Sequence, residues 1–333
     1  MSNELNNSWT NWHHIIHKQL LNNPEFIPQG STLLISVSGG QDSMALMTLM
    51  DQIKKHHNWD IYAWHGDHQW HSNSKDYAVK LRNYCTQKKI KFYTNSANEV
   101  DVSTEKKARI WRYKKLIETA EEIVLNNNRN TNIYILTGHT STDNVETFIL
   151  NLARGTNLNG LKGIPKKRYL EDKFFLVRPI MLFSREDTAL ICKDLKIPYW
   201  EDPSNENIKI KRNLIRLNVI PNLEKIYPGC SNRISNFIGK IRNLDTERND
   251  LSELAIIACT CNKGIKRITL NKLCKEARST ILHTLISQKS TIQLNSKNLD
   301  NLTDQIFKKR SGKVNLSKGM NVCWDEKYIH IKN

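Results

Sequence analysis

The chain has 333 residues, 39% of them hydrophobic and 25% charged, which is a globular composition long enough for about two domains. Its longest apolar runs, Leu33–Val37 and Met44–Met50, fall well short of the roughly 20 residues that a membrane-spanning helix needs. Fifty Lys and Arg against 33 Asp and Glu leave a net charge of +17, which favours a polyanionic partner over a merely solvated basic face.

Nucleic acid is the expected partner and a membrane is not, because no basic amphipathic helix stands out. The opening MSNELNNSWTNWHH has neither a basic start with an apolar core nor an Arg/Ser-rich transit pattern, so the protein is expected to act where it is made. Seven cysteines lie at 85, 192, 230, 259, 261, 274 and 323 with no C-x-x-C among them. The Cys259-x-Cys261 pair lacks partners at zinc spacing, and free thiols in a reducing compartment are the expectation.

In chain order, Ser31–Val37 reads as a short buried strand that runs into Ser38-Gly39-Gly40-Gln41-Asp42-Ser43 and then a helix over Met44–Ile53. Ile61–His65 reads as a second strand, followed by a loop around Asp67 and His68. A helix over Lys75–Lys88, a strand over Ile90–Tyr93, a helix over Glu105–Glu122, a strand over Ile133–Thr137 and a helix over Asp143–Leu152 follow. Four strand-then-helix units predict an α/β fold with a doubly wound parallel sheet. In such a sheet the ligand lies beyond the carboxyl ends of the strands, where the loops after Val37, His65 and Thr137 converge.

After about Pro228 the pattern changes. Ile234, Phe237, Ile238, Ile241 and Leu244 fall at helical spacing within Ser231–Ala258, and shorter helices are expected at Leu270–Ala277 and Thr280–Ser287. Strand-like alternation over Lys313–Lys332 around Lys318-Gly319 predicts a small terminal hairpin or sheet. The expected division is 1–217 for the catalytic α/β domain and 218–333 for a mainly helical domain ending in a short β segment.

The Ser38–Ser43 string has the chemistry of a phosphate loop. Two glycines let the backbone turn and approach an anion with no Cβ in the way, and the following amides open a helix with partial positive charge. Ser38 and Ser43 add hydroxyl donors, while Asp42 would repel phosphate unless a cation such as Mg²⁺ bridged them. The Walker A lysine is absent, so the loop suits pyrophosphate binding more than γ-phosphoryl transfer. A Gly-Gly turn that merely opens a helix is the plainer alternative.

Three further groups stand out. Trp64-His65-Gly66-Asp67-His68 follows the second strand, and alone it reads as a surface turn or a metal site whose third ligand is lacking apart from His71. Glu105, Arg109 and Arg112 share one helical face, which spacing alone leaves open as an ordinary ion-pair face. Asp143 and Glu146 also share a face, suited to Mg²⁺ or to a cationic amine, or simply to a helix N-terminus.

The S-G-G-x-D-S string resembles the signature of the PP-loop ATP pyrophosphatases, which cleave ATP between its α and β phosphates and adenylate a substrate. Within that class the chain resembles the tRNA(Ile)-lysidine synthetase family. Trp64–His68 is similar to its H-x-N/D-H segment, and Glu105–Tyr113 to E-x-x-x-R-x-x-R-Y/F. Thr137–Thr147 resembles T-G-H-x-x-D-D-x-x-E-T, with Thr142 in place of the first Asp, and Asn151–Gly155 continues as N-x-x-R-G. Arg178-Pro179, Arg185, Glu201-Asp202-Pro203-Ser204-Asn205 and Arg212-Asn213-x-x-Arg216 complete the likeness, which covers about residues 30 to 220.

The resemblance implies that ATP binds Ser38, Gly39, Gly40, Gln41, Asp42, Ser43, His65, Gly138 and His139, with Mg²⁺ on Asp42. It implies catalytic roles for Asp42, Arg109, Asp143 and Glu146, and substrate or tRNA binding by Arg112, Arg154, Arg178, Arg212 and Arg216. The implied reaction adenylates the wobble cytidine of a CAU-anticodon tRNA(Ile) and couples it to free L-lysine, with Asp143 and Glu146 holding the lysine ammonium. A bacterial cytoplasm or a plastid stroma would suit the composition, and a homodimer is compatible with it. The alternatives are a 2-thiocytidine-type enzyme of the same class, for which the C-x-x-C pairs are missing, and a non-catalytic tRNA-binding protein, which would not need an intact loop.

Overall fold

A computed structural model describes residues 9–69, 74–127, 132–171, 173–200, 208–289, 294–316 and 319–332. The chain divides into two compact units, Met1–Ile238 and Gly239–Asn333.

The first unit is built on a six-stranded sheet. Its strands are β1 (Thr32–Ser36), β2 (Asp60–Asp67), β3 (Lys91–Ser96), β4 (Ile133–Thr137), β5 (Lys167–Glu171) and β6 (Phe174–Val177), in the order β3-β2-β1-β4-β6-β5. All neighbours are parallel except β5, which runs antiparallel to β6 at the edge. The expected doubly wound parallel sheet is therefore present, and the four strands expected in the first half of the chain lie within it.

Two-sided burial explains why β1 reads as an unbroken apolar run. Leu33 and Ile35 pack toward α2 (Gln41–His57), while Leu34 packs with Ala108, Trp111 and Leu116 of α4 (Glu105–Asn127) on the other face. Leu33, Leu34 and Ile35 are each fully buried and contribute about 1.5–3 kcal/mol apiece. The strand order reverses between β1 and β4, so the crevice at their carboxyl ends is the topological switch point.

The first unit also contains elements that the sequence pattern did not announce. Helix α1 (Asn11–Asn22) precedes β1, and the β5–β6 pair follows α5 (Ser141–Ala153) and the short α6 (Leu158–Leu161). Helix α7 (Arg185–Asp194) begins at Ser184, whose side chain accepts from the Asp187 amide while the Asp187 carboxylate accepts from the Ser184 amide. Helix α3 (Ser74–Gln87) matches its expected span.

The expected boundary at 217/218 precedes the division between compact units at Ile238. Between them α8 (Lys211–Leu214), a π-helical turn (Ile215–Val219) and α9 (Ile220–Ile226) run on, with Ile215 and Ile220 buried against Val145 of α5. The same apolar contact keeps this segment with the α/β unit.

The second unit takes most of α10 (Cys230–Cys259), then α11 (Arg267–Asn271), α12 (Lys275–Lys289) and α13 (Ser296–Lys308). Its β segment is larger than the expected hairpin. Strands β7 (Thr260–Cys261), β8 (Gly264–Lys266), β9 (Gly312–Asn315), β10 (Asn321–Trp324) and β11 (Tyr328–Lys332) form one antiparallel sheet in the order β7-β8-β11-β10-β9. Leu282, Ile286, Leu302 and Ile306 of the helices pack on Val322, Trp324 and Ile329 of the sheet. The helix expected at Leu270–Ala277 is interrupted, because α11 stops at Asn271 and α12 starts at Lys275. Of the expected Lys318-Gly319 turn, Lys318 lies outside the described residues and Gly319 adopts a φ of +81°.

Candidate active site

The loop after β1 is folded around its own serines. The Ser38 amide donates to Ser43 Oγ at 3.1 Å, the Gly40 amide donates to Ser38 Oγ at 3.3 Å, and Ser43 Oγ donates to the Gly40 carbonyl at 2.9 Å. Gly39 turns the chain at a φ of +91°, a region that favours glycine, and its carbonyl accepts from the Trp200 amide at 2.9 Å. Helix α2 then starts at Gln41, so its free amides face the crevice.

Asp42, in the first turn of α2, is held from α7. The Thr188 hydroxyl donates to Asp42 Oδ1, and Arg185 Nη1 lies 3.7 Å from Oδ2. Gln41 Nε2 donates to the Arg185 carbonyl at 2.7 Å and to Thr188 Oγ1 at 3.0 Å. Burial pushes the Asp42 carboxyl above its ordinary pKa, partly offset by the Thr188 hydrogen bond and the Arg185 charge. Thr188 is fully buried, and its part in the site was not legible because it is 146 residues from Asp42.

The second wall is the turn from β4 into α5. Thr140 caps α5, with its amide and hydroxyl donating to Asp143 Oδ2 at 2.7 and 3.0 Å. Asp143 Oδ1 accepts from Arg212 Nη2 at 2.7 Å, and Arg212 Nε donates to Glu146 Oε2 at 2.6 Å. One guanidinium thus bridges the two carboxylates that helical spacing had placed on one face.

Burial is the largest influence on both acids and opposes ionisation. For Asp143 the charge of Arg212 with the Thr140 donors outweighs it, and the pKa falls; Glu146, 1% exposed, keeps a raised one. Burial also brings His139 down to about 3, so its ring is neutral at pH 7. Thr142, where the family pattern has Asp, accepts from the Arg185 amide at 3.0 Å and ties α5 to α7.

The strand β2 supplies His65. Its Nδ1 lies 2.8 Å from the Val37 carbonyl, which can only accept, so Nδ1 carries the proton. Burial lowers its pKa, leaving a neutral ring whose Nε2 is an acceptor. The strand runs through Asp67, two residues past its expected end, and Asp67 Oδ1 accepts from the Gln69 amide at 2.8 Å.

Together these residues line a cleft of about 420 Å³ at the switch point. Ser38, Gly40, Gln41, Asp42, Ser43, His65, Arg112, Gly138, His139, Asp143, Arg212 and Arg216 all face it, as do Arg185, Tyr77 and Tyr113. Gly39 lies beneath the loop against Trp200, and Glu146 sits behind Arg212. Arg109 is exposed on α4 with its guanidinium 5.0 Å from the Tyr113 ring, and Arg154 is exposed at the end of α5.

Arg178 was expected to bind substrate, yet it is 1% exposed and lines no part of the cleft. Its Nη1 donates to the Pro165 carbonyl at 2.6 Å, and burial lowers its pKa to about 10. The Glu201–Asn205 motif lies outside the described residues.

A strand–loop–helix phosphate cradle at the switch point of a parallel sheet, with facing carboxylates and arginines, defines a PP-loop nucleotide-binding protein, and residues 12–223 match the family model described as a PP-loop domain. The solved structure of a U34-tRNA thiolase from Methanococcus maripaludis covers 69% of this chain and 76% of its own at a TM-score of 0.55 and 16% identity, a likeness of fold. A tRNA(Ile)-lysidine synthase of Prochlorococcus marinus subsp. pastoris is 51% identical over 330 residues, covering 99% of this chain and 98% of that protein. The chloroplastic tRNA(Ile)-lysidine synthase of Pyropia yezoensis is 30% identical over 308 residues, 91% of each chain. The chain belongs to the tRNA(Ile)-lysidine synthase family.

Proposed function

We propose that the chain is a ligase that joins lysine to the wobble cytidine of a CAU-anticodon tRNA(Ile), splitting ATP to AMP and diphosphate. The observation that carries this reading is the cleft itself, where an intact pyrophosphate loop shares about 420 Å³ with Asp143 of α5, which Arg212 links to Glu146 behind it. In the first step the ring carbonyl oxygen of the cytidine attacks the α-phosphorus of ATP, and diphosphate leaves. In the second the ε-amine of lysine attacks the ring carbon that bears this oxygen, the bond from that carbon to the oxygen breaks so that AMP leaves with it, and the amine loses its proton.

The residues divide these tasks by position. Amides at the start of α2 with Ser38 and Ser43 hold the diphosphate end. Arg185, Arg212 and Arg216 face the cleft and offset the charge that develops on phosphate oxygens. Asp143, held ionised by its neighbours, is the carboxylate placed to orient the ammonium and take its proton. Arg109, exposed on α4, and Arg154 at the end of α5 are surface contacts for the tRNA backbone.

Among the described residues no group of three His, Cys, Asp or Glu is arranged to hold a metal ion. A cleft-facing carboxylate within the phosphate loop nonetheless fits Mg²⁺, which takes one or two carboxylates and completes its shell with phosphate and water. Asp42 would hold it, and bound there the ion would neutralise charge between the carboxylate and the diphosphate.

The sulfur-transfer alternative loses support because none of the seven cysteines lines the cleft. A bacterial cytoplasm or a plastid stroma is the proposed setting; no helix among the described residues is long and apolar enough to cross a membrane.

Incubation with ATP, Mg²⁺, lysine and a CAU-anticodon tRNA(Ile) transcript, then nuclease digestion and mass spectrometry, tests the reading. A lysyl-cytidine only with ATP, and absent from tRNA(Met), is the expected product. ATP cleavage to AMP and diphosphate without that nucleoside would keep the nucleotide chemistry and overturn the substrate.

A further inference from the structure

Arg212 stands where the proposed reaction needs a different cation. Its Nε and Nη2 take one oxygen each from Glu146 and Asp143, at 2.6 and 2.7 Å, and the other oxygen of Asp143 is filled by the Thr140 amide and hydroxyl. Glu146 is 1% exposed and does not reach the cleft, so an entering ammonium meets the Arg212 guanidinium before it meets that carboxylate. With the guanidinium in place, the acidic pair has no full site left for a second cation.

Two observations make this arrangement exchangeable. Arg212 shares its cleft with Arg185 and Arg216 and with the phosphate loop, so a polyanion on that loop has a guanidinium fork within the same chamber to attract. Arg212 also sits on α8, a helix of four residues that passes directly into the π-helical turn Ile215–Val219. Such π turns are rare and are found mostly at functional sites, where the regular helical register is broken.

Resting on the lysine-ligase reading above, we propose that Arg212 is an internal stand-in for the lysine ammonium. In the nucleotide-free protein it occupies the Asp143–Glu146 site, and it leaves for phosphate when nucleotide binds, so lysine enters second. The device keeps lysine out of a cleft that holds nothing to attach it to, and it hands a cation to the phosphates in the step that requires one. A ligand shifts such an equilibrium only through its different affinity for the two states, and the phosphates supply that difference.

Equilibrium dialysis of radiolabelled L-lysine tests the exchange. The samples are the nucleotide-free wild type, the wild type with Mg²⁺ and α,β-methylene-ATP, and nucleotide-free Arg212→Gln and Arg212→Lys. Lysine should bind the loaded wild type at least about tenfold more tightly than the free wild type. Arg212→Gln without nucleotide should match the loaded wild type, and Arg212→Lys, which keeps a cation in the site, should stay as weak as the free wild type.

Equal lysine affinity in the free and loaded wild type overturns the exchange, and this comparison needs no variant to fold. Loss of lysine binding in a folded Arg212→Gln, or equally tight binding by Arg212→Lys, also overturns it. A wild type that forms no lysyl-cytidine from tRNA(Ile) sinks the parent reading instead, and is scored separately.

Discussion

A Cβ built on Gly138 would stand 3.0 Å from the Cα of Ser43, and equally close to its amide nitrogen. The turn after β4 therefore rests directly on the phosphate loop, and only glycine lets the two backbones approach this closely. Gly138→Ala must push the loop or the turn aside, at a cost of about 1–3 kcal/mol. Steady-state diphosphate release should show kcat/KM for ATP lowered by roughly tenfold or more in a folded protein. Unchanged ATP kinetics would mean that the close approach has no bearing on nucleotide binding.

Asp143→Asn retains an oxygen for the Thr140 cap and removes the charge that faces Arg212. Helix α5 should therefore persist, while lysyl-cytidine formation falls by about 10²-fold or more. ATP binding measured alongside should not weaken, because the charge removed is one that holds Arg212 away from phosphate. Near-normal turnover would remove this residue from the chemistry.

Arg178 separates fold from RNA contact. It is buried and spans to the Pro165 carbonyl, so Arg178→Ala should cost on the order of 2–4 kcal/mol in thermal unfolding. The affinity of the folded variant for tRNA should stay within about twofold of the wild type, with the same salt dependence. A tenfold loss of tRNA affinity at unchanged Tm would place the residue at the RNA after all.

Arg109 is the contrasting case. It is exposed, and its removal takes one cation from the face of α4. Arg109→Ala should weaken tRNA binding several-fold and reduce the slope of log K against log salt by about one, with KM for ATP nearly unchanged. An unaltered salt slope would argue that α4 does not meet phosphate.

The pH dependence of stability has a contributor outside the cleft. His57 Nε2 lies 3.0 Å from His17 Nδ1, its ring stacks on Trp59, and burial with the neighbouring histidines lowers its pKa to about 4. The unfolded chain takes up this proton near pH 6.5 and the folded one only near 4, so stability is lost as pH falls through that window. A His57→Gln variant should lose less in Tm between pH 7 and 5 than the wild type, by on the order of 1–3 kcal/mol in unfolding free energy. Parallel Tm curves for the two proteins would show that the His17–His57 contact does not titrate.

Much of the cleft was readable because its parts are local in sequence. A phosphate loop needs a strand, two glycines and a helix start in one short stretch, and Ser38–Ser43 supplies them within six residues. The pairing of Asp143 with Glu146 follows from helical spacing alone. Strands β1 and β4 were legible too, since burial on both faces leaves a continuous apolar run with no polar alternation to confuse it. Helix α1, the β5–β6 pair and strands β7 and β8 escaped notice, because each is short and takes its stability from elements far away in the chain.

The sequence by itself determined the phosphate loop, the winding of the sheet and the family to which its motifs point, all of which rest on contacts between near neighbours. Only the tertiary structure decided that Thr188 holds Asp42, that Arg178 supports the fold from inside, and that Arg212 fills the space between Asp143 and Glu146. These depend on which side chain arrives from a distant segment to satisfy a buried charge. Spacing along the chain carries no record of that choice, because the desolvation that forces the pairing exists only once the fold has closed.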